Sequence, residues 1–165
     1  MMTSAVHSSP EVHLRLAGAA DTETLARLIN EAFAVEKIVI EGERIDSEKV
    51  RALFETGNFL LLYEAEQLVG CVYVEMKGKR GYLGLLGVRP GRQKSGFGRR
   101  LTTAAEDYLR KAGCEAVDLR IVSARAELPP IYERLGYVAT GTAAIPDSIP
   151  LKVPSHFIVM SKRLD

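Results

Sequence analysis

Gln93-Lys94-Ser95-Gly96-Phe97-Gly98-Arg99-Arg100-Leu101 is a turn rich in glycine and cations, set between an apolar run, Tyr82 to Val88, and a helical repeat. Such a turn at a helix N-terminus is an anion site, because unpaired backbone N–H groups and the positive end of the helix dipole converge there. A phosphate-bearing ligand is expected. Downstream, Leu101, Ala104, Ala105, Tyr108, Leu109 and Ala112 recur at i, i+3, i+4, i+7, i+8 and i+11, with Gly113 as the stop, which predicts a helix. Val117 to Val122 then alternates as a strand, so strand, helix and strand form a parallel crossover. The anion turn lies at the carboxyl end of the first strand, where open α/β sheets bind ligands.

Upstream of the turn, Phe59–Tyr63 and Leu68–Val74 are apolar runs joined by four residues, and Lys77 to Arg80 returns the chain into Tyr82–Val88. The three runs read as an antiparallel meander. Gly84 and Gly87 inside its last strand suggest a bulge or a close approach to the backbone. Val12 to Leu16 alternates with period two and predicts a strand with His13 on its solvated face. Asp21 and Asp46 cap two helices, the first with apolar positions Leu25, Leu28, Ile29, Ala32 and Phe33, the second ending at Gly57. Ala34 to Ile45 between them carries no period. A short helix is expected from Pro130 to Leu135, then strands over Tyr137–Ala144 and His156–Lys162. The loop Ile145–Ser155, with three prolines, is a candidate substrate lid. The fold class is α+β around a mixed sheet.

The chain has 165 residues, 47% of them hydrophobic and 26% charged, which fits one globular domain. A net charge of +1 leaves no broad positive field for nucleic acid. Apolar runs are strand-sized, and residues 1–10 lack the basic and apolar regions of a secretion signal. The expectation is a disordered tail over 1–10, a single domain over 11–165, no membrane segment and a cytoplasmic location. Cys71 and Cys114 have no zinc-ligand spacing around them and read as reduced core thiols, with no metal site.

Two phosphate motifs fail. A P-loop needs Lys and Ser or Thr directly after its second glycine, whereas Phe97 and Gly98 follow Gly96; a dinucleotide fingerprint needs a third glycine, where Arg99, Arg100 and Leu101 stand. What remains, Val88-Arg89-Pro90 followed by Gln93-x-x-Gly96-x-Gly98, resembles motif A of the GNAT superfamily of acyl-CoA N-acyltransferases. Tyr132-Glu133-Arg134-Leu135-Gly136-Tyr137 resembles that family's motif B, and the element order matches from about Val12 to Lys162.

The resemblance implies a GNAT fold, a mostly antiparallel mixed sheet of six to seven strands flanked by about four helices. It also implies direct transfer of an acetyl group from acetyl-CoA to a primary amine of a small molecule or peptide. Backbone groups of Leu86, Gly87 and Val88 would pair with the pantetheine arm, the Val88 N–H would polarise the thioester, and Gln93, Lys94, Ser95, Gly96, Phe97, Gly98 and Arg99 would hold the pyrophosphate. Tyr132 is the implied general acid toward the leaving sulfur. The family's usual glutamate base aligns with Tyr82; Glu75, Glu31 or a water-linked path are the substitutes, with Glu75 preferred. Where the family has an asparagine before motif B the chain has Arg125, which with Glu127 forms a surface ion pair or lines the acceptor pocket. His156 is a base near the acceptor or a structural strand-start residue. Phe157-Ile158-Val159-Met160 offers an edge for a homodimer, and a catalytically silent acyl-CoA-binding module is the competing reading.

Overall fold

A computed structural model describes residues 11–165, and the expected tail over 1–10 lies outside the described residues. Seven strands form one sheet: β1 (Val12–Leu16), β2 (Gly57–Glu64), β3 (Gln67–Lys77), β4 (Arg80–Val88), β5 (Ala116–Val122), β6 (Val138–Ala143) and β7 (Phe157–Arg163), in spatial order β1-β2-β3-β4-β5-β7-β6. Four helices flank it: α1 (Thr22–Ala32), α2 (Ser47–Thr56), α3 (Phe97–Lys111) and α4 (Leu128–Arg134). All neighbouring strands are antiparallel except β4 and β5. The expected α+β architecture is the observed one.

Strand periodicity builds two cores on one sheet. Leu60 and Leu62 of β2 face α3 and join Leu101, Leu109, Leu119 and Met160; Phe59 and Leu61 face α1 and α2 and join Leu25, Ile29 and Val50. Each of these side chains removed from water contributes about 1.5–3 kcal/mol. Helix α3 lies close against the sheet because two strand residues lack side chains: a Cβ on Gly70 would stand 2.7 Å from a Leu101 methyl, and one on Gly81 2.7 Å from a Leu109 methyl.

Helix starts follow the aspartates, by different means. Asp46 caps α2 directly, its carboxylate accepting from the Lys49 N–H at 2.9 Å. Asp21 precedes α1, but its carboxylate accepts from both Arg15 Nη atoms and from the Gly18 N–H instead. Strand β1 occupies the expected residues but not the expected environment. It is an edge strand, and Leu14 and Leu16 are exposed. His13 stacks on Tyr63 across the pair, centroids 5.1 Å apart.

Two expectations are corrected by topology. Strand β7 is not an edge: it is inserted between β5 and β6, so Phe157–Met160 is paired on both sides and the free edge belongs to β6. The Ile145–Ser155 loop is not a free flap. Leu151 bridges Ile40, the Glu41 N–H donates to Pro150 O at 2.9 Å, and the Lys152 N–H donates to Val39 O at 2.7 Å. Ile145, Val39 and Val122 are buried together beneath it. The unassigned segment 34–45 and the proline loop thus form one wall beyond the end of β5.

Candidate active site

The sheet opens at its centre. Strands β4 and β5 are in register only over Arg80–Tyr82 and Ala116–Asp118, so from Leu83 onward one edge of β4 has no strand beside it. Arg89 donates its N–H to Val69 O on the β3 side at 2.8 Å, and strand alternation therefore turns the N–H groups of Val88 and Leu86 toward the opening. A bulge precedes them: Cys71 pairs Gly87 and Tyr73 pairs Gly84, leaving one extra residue in β4, and Leu85 takes φ 48° to accommodate it.

The glycines of β4 have reasons internal to the protein. A Cβ on Gly84 would lie 2.6 Å from the Tyr82 ring, and one on Gly87 would lie 2.9 Å from the Ala32 methyl of α1. The sequence correctly predicts a bulge and a close approach, but the approaching groups are Tyr82 and α1. Because the ring lies over Gly84, the Tyr82 hydroxyl reaches the bulge, two residues along from its own Cα.

Beyond β4 the turn closes on itself. Gln93 donates its side-chain amide to Val88 O at 3.1 Å, Arg92 forms a two-bond pair with Glu64 and lies 5.2 Å over the Phe97 ring, and the Phe97 side chain is buried. Lys94 is left-handed at φ 67° and Gly96 at φ 83°, and α3 starts directly after. A non-glycine held there costs of order 1–3 kcal/mol, a strain typical of ligand-binding loops. Among the described residues nothing accepts from the N–H groups of Lys94 to Arg99, and Arg89, Lys94, Arg99 and Arg100 carry no carboxylate partner. Backbone donors with surplus positive charge suit a diphosphate. Of the expected ligands, Gln93 and Phe97 therefore have side chains engaged in folding the turn, while the N–H groups and Lys94 and Arg99 stay available.

Tyr132 sits on α4, half-buried, packed with Leu86 and Val88 against the α3-side core, its ring edge-on to Tyr137 at 5.8 Å. Burial pushes its hydroxyl up to about 12, against the opposing field of Arg125. Among the described residues the hydroxyl has no hydrogen-bond partner. Tyr137 is structural: it donates to the buried Glu106 at 2.8 Å, and Lys162 holds the other carboxylate oxygen at 3.0 Å.

Glu75 and Tyr82 are cross-strand partners on the α1–α2 face. Glu75 accepts from the Tyr73 hydroxyl at 2.8 Å, and that hydroxyl shares a 2.7 Å contact with Thr56. Burial raises Tyr82, opposed by the fields of Arg120 and Arg44. Val88 is six residues from Tyr82 along β4, roughly 20 Å at about 3.3 Å per residue. The structure thus places the Tyr82 hydroxyl at the bulge with Glu75 across the strand pair from Tyr82, and places Tyr132 against the α3-side core. His156 is exposed, and its backbone closes a pair of bonds with Ser123.

Arg125 is more than half of a surface pair. It donates to Glu127 at 2.8 Å and to the buried Glu36 at 2.8 Å, tying the α4 approach to the 34–45 wall. Arg44, 5.5 Å over Phe33, and Arg120, 5.7 Å over Phe157, both exert their charge on Tyr82 and had no motif to announce them. Among the described residues no group of His, Cys, Asp or Glu is placed to hold a metal ion, and no helix is long and apolar enough to cross a membrane.

A family model described as an acetyltransferase (GNAT) domain matches residues 30–152. The mycothiol acetyltransferase of Streptomyces scabiei is 31% identical over 116 residues, covering 68% of this chain and 38% of that protein. That of Amycolatopsis mediterranei is 27% identical over 128 residues, covering 71% and 42%. The chain spans about two fifths of the length of these relatives. In fold it is similar to the ribosomal-protein-S18-alanine N-acetyltransferase of Escherichia coli, TM-score 0.74 at 15% identity, covering 94% of this chain and 95% of that one. It is also similar to yncA of Salmonella typhimurium, solved with its cofactor acetyl-CoA, TM-score 0.70 at 20% identity, covering 93% and 94%. A half-split sheet ending in a donor-rich turn, matched by a family model across three quarters of its length, places the chain in the GNAT acetyltransferase family.

Proposed function

We infer that the chain transfers an acetyl group from acetyl-CoA directly to a primary amine of a small molecule or peptide. The observation that carries this reading is the unpaired edge of β4 running into the donor-rich turn at Lys94–Arg99. Acetyl-CoA as the donor is supported by the bound cofactor of the Salmonella structure, and a small acceptor by the names of the curated relatives. The reaction belongs in the cytoplasm in this reading, since two buried unpaired thiols, Cys71 and Cys114, suit a reducing compartment.

Each chemical task has a candidate group. Lys94 to Arg99 hold the diphosphate by N–H groups and cations. Leu86 and Val88 pair with the extended arm and leave an N–H to stabilise negative charge developing on the thioester oxygen. The amine attacks the carbonyl carbon, the carbon–sulfur bond breaks, and Tyr132 gives its proton to the departing sulfur. Protonated across the neutral range, Tyr132 starts in the form an acid requires. The ammonium proton of the acceptor leaves toward Glu75 by way of Tyr82, whose hydroxyl stands at the bulge.

Thiol release from acetyl-CoA, followed across a panel of primary amines, tests the reading. Amine-dependent release with stoichiometric acetylated product is expected; acetyl-CoA binding without release on any amine would overturn it.

A further inference from the structure

The α1–α2 face of the opening carries cations that the acetyl-transfer chemistry does not use. Arg44 is held rigidly: its neighbour Ile45 is clamped by Asn30, whose side chain bonds both the Ile45 N–H (2.9 Å) and O (2.8 Å). Its guanidinium rests over Phe33, the ring a Cβ on Gly87 would approach to 3.6 Å. Its Nε is buried, 4.0 Å from Glu36, and makes no hydrogen bond. A buried donor left unsatisfied is costly, so a nearby acceptor is favoured.

Arg120 stands on β5, two residues from the Tyr82 partner Asp118 and on the same sheet face as Tyr82, over Phe157 and in no ion pair among the described residues. Both cations act on the Tyr82 hydroxyl. The local acids are committed elsewhere. Asp118 is taken by Arg80 and Ser161 and Glu127 by Arg125, while Glu36 is shared, one oxygen hydrogen-bonded by Arg125 and the other 4.0 Å from Arg44, so one carboxylate serves two guanidinium groups. Glu75, hydrogen-bonded by Tyr73 and 3.8 Å from the exposed Lys77 ammonium, lies across the strand pair from Tyr82. Positive charge on the rim and one carboxylate across the strand pair from Tyr82 describe a receptor for a molecule with opposite polarity.

We propose that the acceptor is an amine that also carries an anionic group, its amine directed to Glu75 and its anion received by Arg120 and Arg44. The inference rests on the acetyltransferase reading and adds the acceptor's charge. Guanidinium groups favour planar oxyanions, so an amino acid or short peptide with a free carboxylate, or a phosphorylated amine, fits the pair.

The experiment sets matched acceptors side by side: free amino acids and dipeptides against their C-terminal amides, and phosphoethanolamine against ethanolamine. Thiol release should show at least a tenfold higher kcat/KM for the charged member of a pair, the carboxylate and phosphate arms telling the two anions apart. Arg120→Gln and Arg44→Gln should each equalise the pair through KM for the acceptor, and Arg120→Lys should restore part of the preference. As a readout independent of turnover, the N-acetylated forms of the same pairs are titrated calorimetrically into the coenzyme A complex. Tighter binding of the charged form, lost in Arg120→Gln, supports the proposal even where no acceptor turns over. Equal rates and equal binding within the pairs, or a preference that survives both glutamine variants, would overturn it and leave acetyl transfer standing.

Discussion

Tyr132→Phe is the substitution in which fold and chemistry separate most cleanly. The hydroxyl has no hydrogen-bond partner among the described residues, so its removal leaves no protein group unsatisfied, and the Phe ring keeps its packing against the core and its edge-on contact with Tyr137. Thermal midpoint and acetyl-CoA affinity should therefore stay within about 2 °C and threefold of the parent. Turnover should not. With Tyr132 near 12 and a thiol near 8.5, complete proton transfer to a free thiolate is uphill by roughly 5 kcal/mol, at about 1.4 kcal/mol per pK unit. The proton must move while the carbon–sulfur bond is breaking. General acids contribute about 10²–10⁴ in rate, and so poor an acid belongs at the lower end, giving an expected kcat loss of about 10². The pH profile supplies the second arm. A raised pKa keeps Tyr132 protonated through the alkaline range, so kcat should show no descending limb from this group below about pH 11. A Phe variant within threefold of the parent kcat would refute the assignment, and a limb near pH 8–9 that the Phe variant abolishes would instead refute the raised pKa.

Three further expectations concern stability. Tyr137→Phe removes a buried hydrogen bond to the Glu106 carboxylate and should cost about 1.5–3 kcal/mol in urea unfolding; no change in midpoint would mean that Lys162 alone satisfies the carboxylate. Gly87→Ala places a methyl 2.9 Å from the Ala32 Cβ and should cost about 1–3 kcal/mol, part of which Ala32→Gly recovers in a double-mutant cycle. Asp118 is held below the usual carboxylate range by Arg80 and then by Ser161, and Asp21 chiefly by Arg15. A lowered folded pKa gives stability that is present above the unfolded aspartate value of about 3.9 and fades as pH falls through the folded one. Asp118→Asn should be less stable than the parent by about 1 kcal/mol at pH 7, the partners being partly exposed, and equally stable near pH 2; a gap that widens in acid would contradict the linkage.

Much of the fold was legible because its strands and helices keep strict periods. The repeat Leu101, Ala105, Leu109 located α3, and the continuous apolar run Phe59–Tyr63 marked a strand, which the structure buries on both faces. The insertion of β7 between β5 and β6 was not legible, because pairing order depends on tertiary contacts that Phe157–Met160 does not encode locally. Nor was the exposure of Leu14 and Leu16, since alternation reports a strand and not what covers it. At the site, glycine spacing pointed to the turn, and the resemblance of Tyr132–Tyr137 to a family motif pointed to Tyr132, both written in a few adjacent residues. Arg44 lay in a segment without period, Arg120 looked like any outward strand residue, and Arg125 reached a buried partner 89 residues away.

The short seam between β4 and β5 also governs how the molecule breathes. Three residue pairs join the first four strands to the last three there, against seven in the next seam, so protection from solvent exchange should thin where the sheet divides. A donor substrate lying along β4 would act as a temporary strand, splinting two half-sheets that the chain itself joins only at one end. Binding would then be felt as slowed amide exchange at Leu86 and Val88, and the substrate's presence would become part of the protein's own cooperativity.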